Sequence, residues 1–192
     1  MTRRLPIFAT IVVAAAVATM IALGFWQLGR KAEKEALLAH YARAVTMSSA
    51  VPWPLTREDE ARALYRHARI NCARVERIEA VAGRSHSGRP GWAHVAQCRL
   101  PDGAEAAVAI GWSNTPTSPP WAGGEVGGVI GRAGEGVRLV AAPAQAGLDQ
   151  LAAPDPANIP NNHLSYAVQW FLFAATALLV YALALRKKWR GA

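Results

Sequence analysis

The chain is 192 residues long and 52% hydrophobic, with 21 Lys and Arg against 13 Asp and Glu and a formal charge of +8. Six of the bases (Arg3, Arg4, Arg186, Lys187, Lys188 and Arg190) flank two apolar runs at the termini, and the remaining 15 lie with all 13 acids between Arg30 and Asn162. The middle is therefore nearly balanced, and the basic excess reads as a membrane-topology signal rather than a nucleic-acid surface.

Residues 5–25 form the first apolar run, 21 residues without a charge. At 1.5 Å per residue this is roughly 30 Å, about one hydrocarbon core. Ala16-Val17-Ala18 resembles a signal-peptide cleavage site, but a signal's apolar region is only about 7–15 residues, so the run reads as an anchor. GFWQLGR, residues 24–30, closes it, with Trp26 suited to the water–lipid interface. KAEKEALLAHYAR, residues 31–43, is rich in helix formers and continues as helix beyond the bilayer. Pro52 and Pro54 break that pattern, and Thr56 with Asp59 three residues on marks the N-terminus of a short helix through Tyr65.

From Ala68 the texture changes to short β-prone runs between turn signals. RINCARV, AHVAQCRL, AEAAVAIGW, EVGGVIGR and GVRLVAA are the strand candidates. Pro101-Asp102-Gly103 is the clearest hairpin turn. Residues 114–128 and 152–162 read as long loops. Residues 166–185 form a second uncharged run of spanning length, followed by Arg186, Lys187 and Lys188. Basic residues at both ends put both termini in the cytoplasm and the middle outside.

These elements predict an α+β membrane protein in which two transmembrane helices flank a small extracytoplasmic domain rich in antiparallel strands. Residues 1–29 are the anchor, 30–162 the outer domain, and 163–192 the second helix and basic tail. The setting is a bacterial inner membrane with a periplasmic domain, or a mitochondrial inner membrane in a eukaryote.

Cys72 and Cys98 sit on separate predicted strands in an oxidising compartment. A disulfide, two free thiols and a metal or redox site are the three readings, the last weakened by the absence of a CxxC. His86 and His94 bracket SGRPGWA, no acid or further cysteine joins them at a useful metal-ligand spacing, and they read as surface histidines. No nucleophilic triad, phosphate-binding glycine loop or carboxylate pair is present, so the soluble part does not argue for an enzyme.

The membrane edges carry more chemistry. On one helix, His163, Tyr166 and Trp170 stand at i, i+3 and i+7, and Trp26 and Arg30 at i and i+4 on the other. Topology places both sets, with Gln27, at the outer surface. One reading is an interfacial aromatic belt with a solvated histidine. The other is a site for a flat, mostly apolar ligand with acidic groups, such as haem, where the imidazole ligates iron and Arg30 meets a carboxylate.

Three blocks decide between them: Gly24-Phe25-Trp26-Gln27-Leu28 with Arg30; Gly91-Trp92 through Cys98 and Asp102-Gly103 to Gly111-Trp112; and Asn161-Asn162-His163-Leu164 with Tyr166 and Trp170. In these the chain resembles the surfeit locus protein 1 family, assembly factors for haem–copper cytochrome c oxidases. Ile110 stands where that family has an arginine before the Gly-Trp pair. The resemblance implies a non-catalytic membrane chaperone that binds haem a transiently and aids its delivery to oxidase subunit I, with haem a synthase as a further partner. It makes His163 the candidate iron ligand and Tyr166 and Trp170 its neighbours. Trp26, Gln27 and Arg30 follow as motif residues. Two cysteines at positions unexpected for the family support a lineage-specific disulfide. The alternative is a scaffold that stabilises an oxidase intermediate without touching haem.

Overall fold

A computed structural model describes residues 6–190, and Arg3 and Arg4 lie outside the described residues. Three helices, α1 (Ile7–Thr46), α2 (Arg57–Ala63) and α3 (His163–Arg190), accompany six strands. The strands are β1 (His67–Cys72), β2 (Arg74–Arg84), β3 (Pro90–Arg99), β4 (Glu105–Ser113), β5 (Gly124–Ala133) and β6 (Gly136–Ala141). The expected architecture of two apolar helices flanking a strand-rich domain is present. The chain divides into two compact units, Met1–Leu37 with Pro160–Ala192, and Leu38–Ile159.

In the first unit Pro6 directly precedes α1, where its missing N–H is one the helix would leave unpaired anyway. α1 runs 40 residues without a break. Its polar second half is a strong helix former, supported by Arg30–Glu33 and Lys31–Glu35 pairs. α1 and α3 pack antiparallel: Thr10 meets Tyr181, Gly24 meets the Phe171 ring, and Gln27 meets His163.

Among the less exposed positions of α1, Thr10, Val13, Val17, Met20, Gly24 and Gln27 form one series, and among those of α3, His163, Ala167, Trp170, Ala174, Ala177 and Tyr181 form another. Both series alternate steps of three and four, the 3.5-residue period of a left-handed coiled pair. The seam is rich in small residues, which let helices approach closely where no water drives them together. Phe8, Leu172 and Val180 point away from it. Both helices are long and apolar enough to cross a bilayer, with mean hydropathy 2.4 and 2.0 over their most apolar stretches.

In the second unit the sheet order is β1-β5-β6-β4-β3-β2, with every pairing antiparallel except β4–β6. The edge strands β1 and β2 are separated only by Ala73, whose N–H donates to Arg99 O at 3.0 Å. The sheet must therefore curl until its two edges meet at that corner. Its inner face packs around Ile110, Ile130, Leu139, Val108 and Val126, all at most 2% exposed. Ala93, Val95, Ala109, Trp112, Val140 and Leu151 form a second cluster. Tyr41 and Ala44, near the end of α1, pack on Leu64 and Tyr65.

The short helix starts where expected. Thr56 caps α2 by accepting from Asp59 N at 3.2 Å, and its hydroxyl donates to Asp59 Oδ2 at 2.7 Å. It stops at Ala63, ahead of the predicted Tyr65, because Tyr65 turns to a left-handed φ of 64° and donates its N–H to Ile130 O at 2.8 Å. The Pro101-Asp102-Gly103 turn joins β3 to β4, with Gly103 at φ +85° and Asp102 Oδ1 accepting from Ala104 N at 3.0 Å. Strand β2 was absent from the sequence expectation as a separate element. A register shift between Val75 and Arg77 breaks its period-2 pattern, and as an edge strand it keeps much of its surface polar.

His94 also departs from expectation: it is fully buried rather than on the surface. Ser113 Oγ donates its one hydrogen to Thr115 O at 2.7 Å, so His94 Nε2–H donates to Ser113 Oγ at 2.8 Å. Nδ1 then accepts from the Ser118 hydroxyl at 2.9 Å, which pins the loop after β4 to β3. Burial disfavours the charged ring and pushes its pKa below the usual histidine value of about 6.5. The unfolded chain therefore binds this proton first as pH falls. The contribution of neutral His94 is full above about pH 6.5 and is lost on acidification through the folded-state value. Chemical denaturation at pH 7.5 and 5.5 should give a larger acid destabilisation for the natural chain than for His94→Gln. Equal pH responses would contradict this assignment.

Candidate functional site

The first turn of α3 closes with Tyr166 N donating to Asn162 O at 3.2 Å, so His163 is the first helical residue. His163 Nδ1 lies 2.7 Å from Gln27 Oε1. Among the described residues no group is bonded to Nε2. Two ring pairs lie further along the helices, Trp170 seven and Phe171 eight residues beyond His163. Phe25 and Phe171 meet edge-to-face at 5.4 Å, and Trp170 meets Phe173 at 6.1 Å. A Cβ on Gly24 would lie 2.5 Å from the Phe171 ring, so the missing side chain at Gly24 is what seats that ring.

The six predicted site residues separate into two groups. His163 and Gln27 touch, and Trp170 lies on the His163 stripe of α3. Trp26, 57% exposed, and Tyr166, 50% exposed, face away from the helix pair. Helix geometry explains this, since Trp26 is turned about 100° from Gln27 and Tyr166 about 60° from His163. Arg30 is exposed and engaged with Glu33 at 2.5 Å. The edge-to-face contact of Phe25 with Phe171 is the ring pair that sequence reasoning missed, because it joins residues on different helices.

The donor set fits a haem better than a bare ion. Among the described residues no three His, Cys, Asp or Glu side chains are placed to hold a metal together. A haem would bring most of its iron's ligands with it, so the one imidazole with a free Nε2, His163, could supply the protein ligand. The flanking surface is aromatic and apolar, as a porphyrin face requires. Asn161 Oδ1, two residues before His163, is buried without a donor among the described residues, so a polar ligand atom there would relieve a cost.

In the second unit Cys72 and Cys98 are bonded to each other, at 1% and 2% exposure. The bond ties the end of β1 to β3 beside the corner where the sheet edges meet. A cleft of about 440 Å³ lies between the Val51–Leu55 segment and α2. Its charged residues are already engaged, Arg62 with Glu58 and Asp59, and Arg66 with Ser49.

Comparison with protein families gives a match to the SURF1 family over residues 14–175, which takes in most of α1, the whole sheet and the first half of α3. The chain belongs to the SURF1 family. That family is associated with cytochrome c oxidase assembly and is not a known enzyme class. A comparison with curated proteins finds no match. Within the SURF1 match the Gly-Trp pairs have a structural reading. Trp112 is 4% exposed, and its indole lies where a Cβ on Gly91 would be, 2.5 Å away. Gly111 lets the segment around Leu148 approach, since its Cβ would fall 2.4 Å from Leu148 Cβ. Ile110, before the second Gly-Trp pair, is fully buried in the core of the sheet unit, where an unpaired charged side chain would be costly.

Proposed function

We propose that this chain is a haem a chaperone of cytochrome c oxidase assembly. It takes haem a at the end of the helix pair where α3 begins and aids its transfer to the catalytic subunit I. The observation that carries the reading is the His163–Gln27 contact of 2.7 Å, which joins two motif residues 136 positions apart and leaves Nε2 free. Haem, when bound, supplies the iron and the conjugated ring. His163 would hold the iron through Nε2, and Trp170 with the Phe25–Phe171 pair would cover apolar ring surface. Tyr166, Trp26 and Arg30 lie at the same level on outward faces, where subunit I or haem a synthase could meet them.

The topology that suits this role places both termini in the cytoplasm and residues 30–162 in the periplasm, or in the intermembrane space of a mitochondrion. The disulfide fits that oxidising side. Binding rather than turnover is the proposed activity, with the membrane helices as the binding element.

The test is the haem content of the full chain purified in mild detergent from cells that make haem a. His163→Ala should lower occupancy at least tenfold while the thermal midpoint of the sheet unit stays unchanged. Equal occupancy in the two proteins would remove His163 as the ligand. Co-purification of subunit I with a colourless natural chain would favour the scaffold reading.

A further inference from the structure

We propose that Gln27 is the positioning residue of this site: its side-chain oxygen holds His163 as the Nδ1–H tautomer and leaves Nε2 as the iron-binding atom. The proposal rests on the haem reading given above and extends it from the ligand to the group that orients the ligand.

The atoms in contact fix the chemistry. The Gln27 partner is Oε1, and an amide oxygen only accepts, so the hydrogen in the 2.7 Å contact belongs to His163 Nδ1. A neutral imidazole carries one N–H, so placing it on Nδ1 leaves the lone pair on Nε2. Metal-ligating histidines usually donate their other N–H to an oxygen acceptor, which fixes the ring plane and raises ligand basicity.

Local geometry gives Gln27 that task. It occupies a seam position of α1, one turn beyond Gly24, in the series Val17, Met20, Gly24, Gln27 that faces α3. Gly24 brings the helices close, as its contact with the Phe171 ring shows, and the longer glutamine bridges to the start of α3. His163, as the first residue of α3, is held by this contact and by its own backbone. Trp26 and Arg30 belong to the same motif yet face away, so they cannot perform this task in place of Gln27.

A polar residue in an apolar helix seam can also serve only to fix register. The two roles separate in the variants. Gln27→Glu keeps an acceptor oxygen and adds charge, whereas Gln27→Leu keeps the volume and removes the acceptor.

The experiment uses the full chain in lipid nanodiscs. In the haem-free protein, ¹⁵N-labelled histidine, assigned by comparison with His163→Ala, should show the Nδ1–H tautomer. Gln27→Leu should give a mixture. With haem a added, Gln27→Leu should lose haem about 10–100-fold more readily. Its ferrous iron–histidine stretching frequency should fall, and that of Gln27→Glu should rise. A register-only role would leave that frequency unmoved in both variants and would overturn the proposal. A natural chain with the proton on Nε2 would overturn it as well. If the natural chain takes up no haem a, the haem reading fails and the iron-binding half of this proposal with it. The nitrogen spectrum then decides the Gln27 contact by itself.

Discussion

Trp112→Ala should lower the unfolding free energy of the sheet unit by about 3–5 kcal/mol, the range for deleting a large buried ring. Trp112 belongs to the second cluster with Val95, Ala109, Val140 and Leu151, and the Arg89 guanidinium lies 4.8 Å from its ring centroid. Its backbone exchanges two hydrogen bonds with Asp149, at 2.8 and 3.0 Å. That exchange holds the segment after β6 against β4, so a cavity here loosens two layers. The indole Nε1 is buried without a partner among the described residues. Trp112→Phe therefore removes an orphaned donor along with some ring area and should cost under about 1.5 kcal/mol. Denaturant titration of the two variants in detergent reads both numbers. Equal losses would mean that the indole N–H has a partner, and a loss below about 1 kcal/mol for alanine would contradict the packing.

Breaking the Cys72–Cys98 bond has the second large effect. It closes a loop of sequence separation 26. The chain-entropy relation then gives a stabilisation of about 3.5 kcal/mol, within the usual 2–5 kcal/mol for a native bond. Cys72→Ala, Cys98→Ala and the double variant should each lose about the same amount, because any one of them removes the whole cross-link. The loss should localise to the corner of β1, β2 and β3, where hydrogen exchange should speed most. Additive losses from the two single variants, or no change in the thermal midpoint, would show that the bond does not stabilise the natural protein.

The parts of the fold that were legible in the sequence are those with local chemistry. The two apolar runs, the Thr56 cap and the Pro101-Asp102-Gly103 turn each rest on residues a few positions apart, and all were readable. β2 was missed because its bulge disturbs the alternation that marks a strand, and an edge needs no second apolar face. His94 was misplaced on the surface because its partners, Ser113 and Ser118, lie 19 and 24 residues away and give no signal near it. The site shows the same division. His163, Gln27 and Trp170 stood out as residues of named motifs. That Gln27 faces His163 while Trp26, Tyr166 and Arg30 face outward follows from the helix seam, which no single motif contains.

The orientation of those outward residues bears on how a chaperone would work. A ligand held at an open helix face, by one imidazole and a few rings, is easier to release than one in a closed pocket. Transient holding calls for that arrangement.

The absorption spectrum of the natural full chain, purified from cells that make haem a, tests the central claim most directly. A haem a chaperone should show a Soret band and a long-wavelength band of haem a character, both lost in His163→Ala. A colourless natural chain, or an unchanged spectrum in His163→Ala, would contradict it.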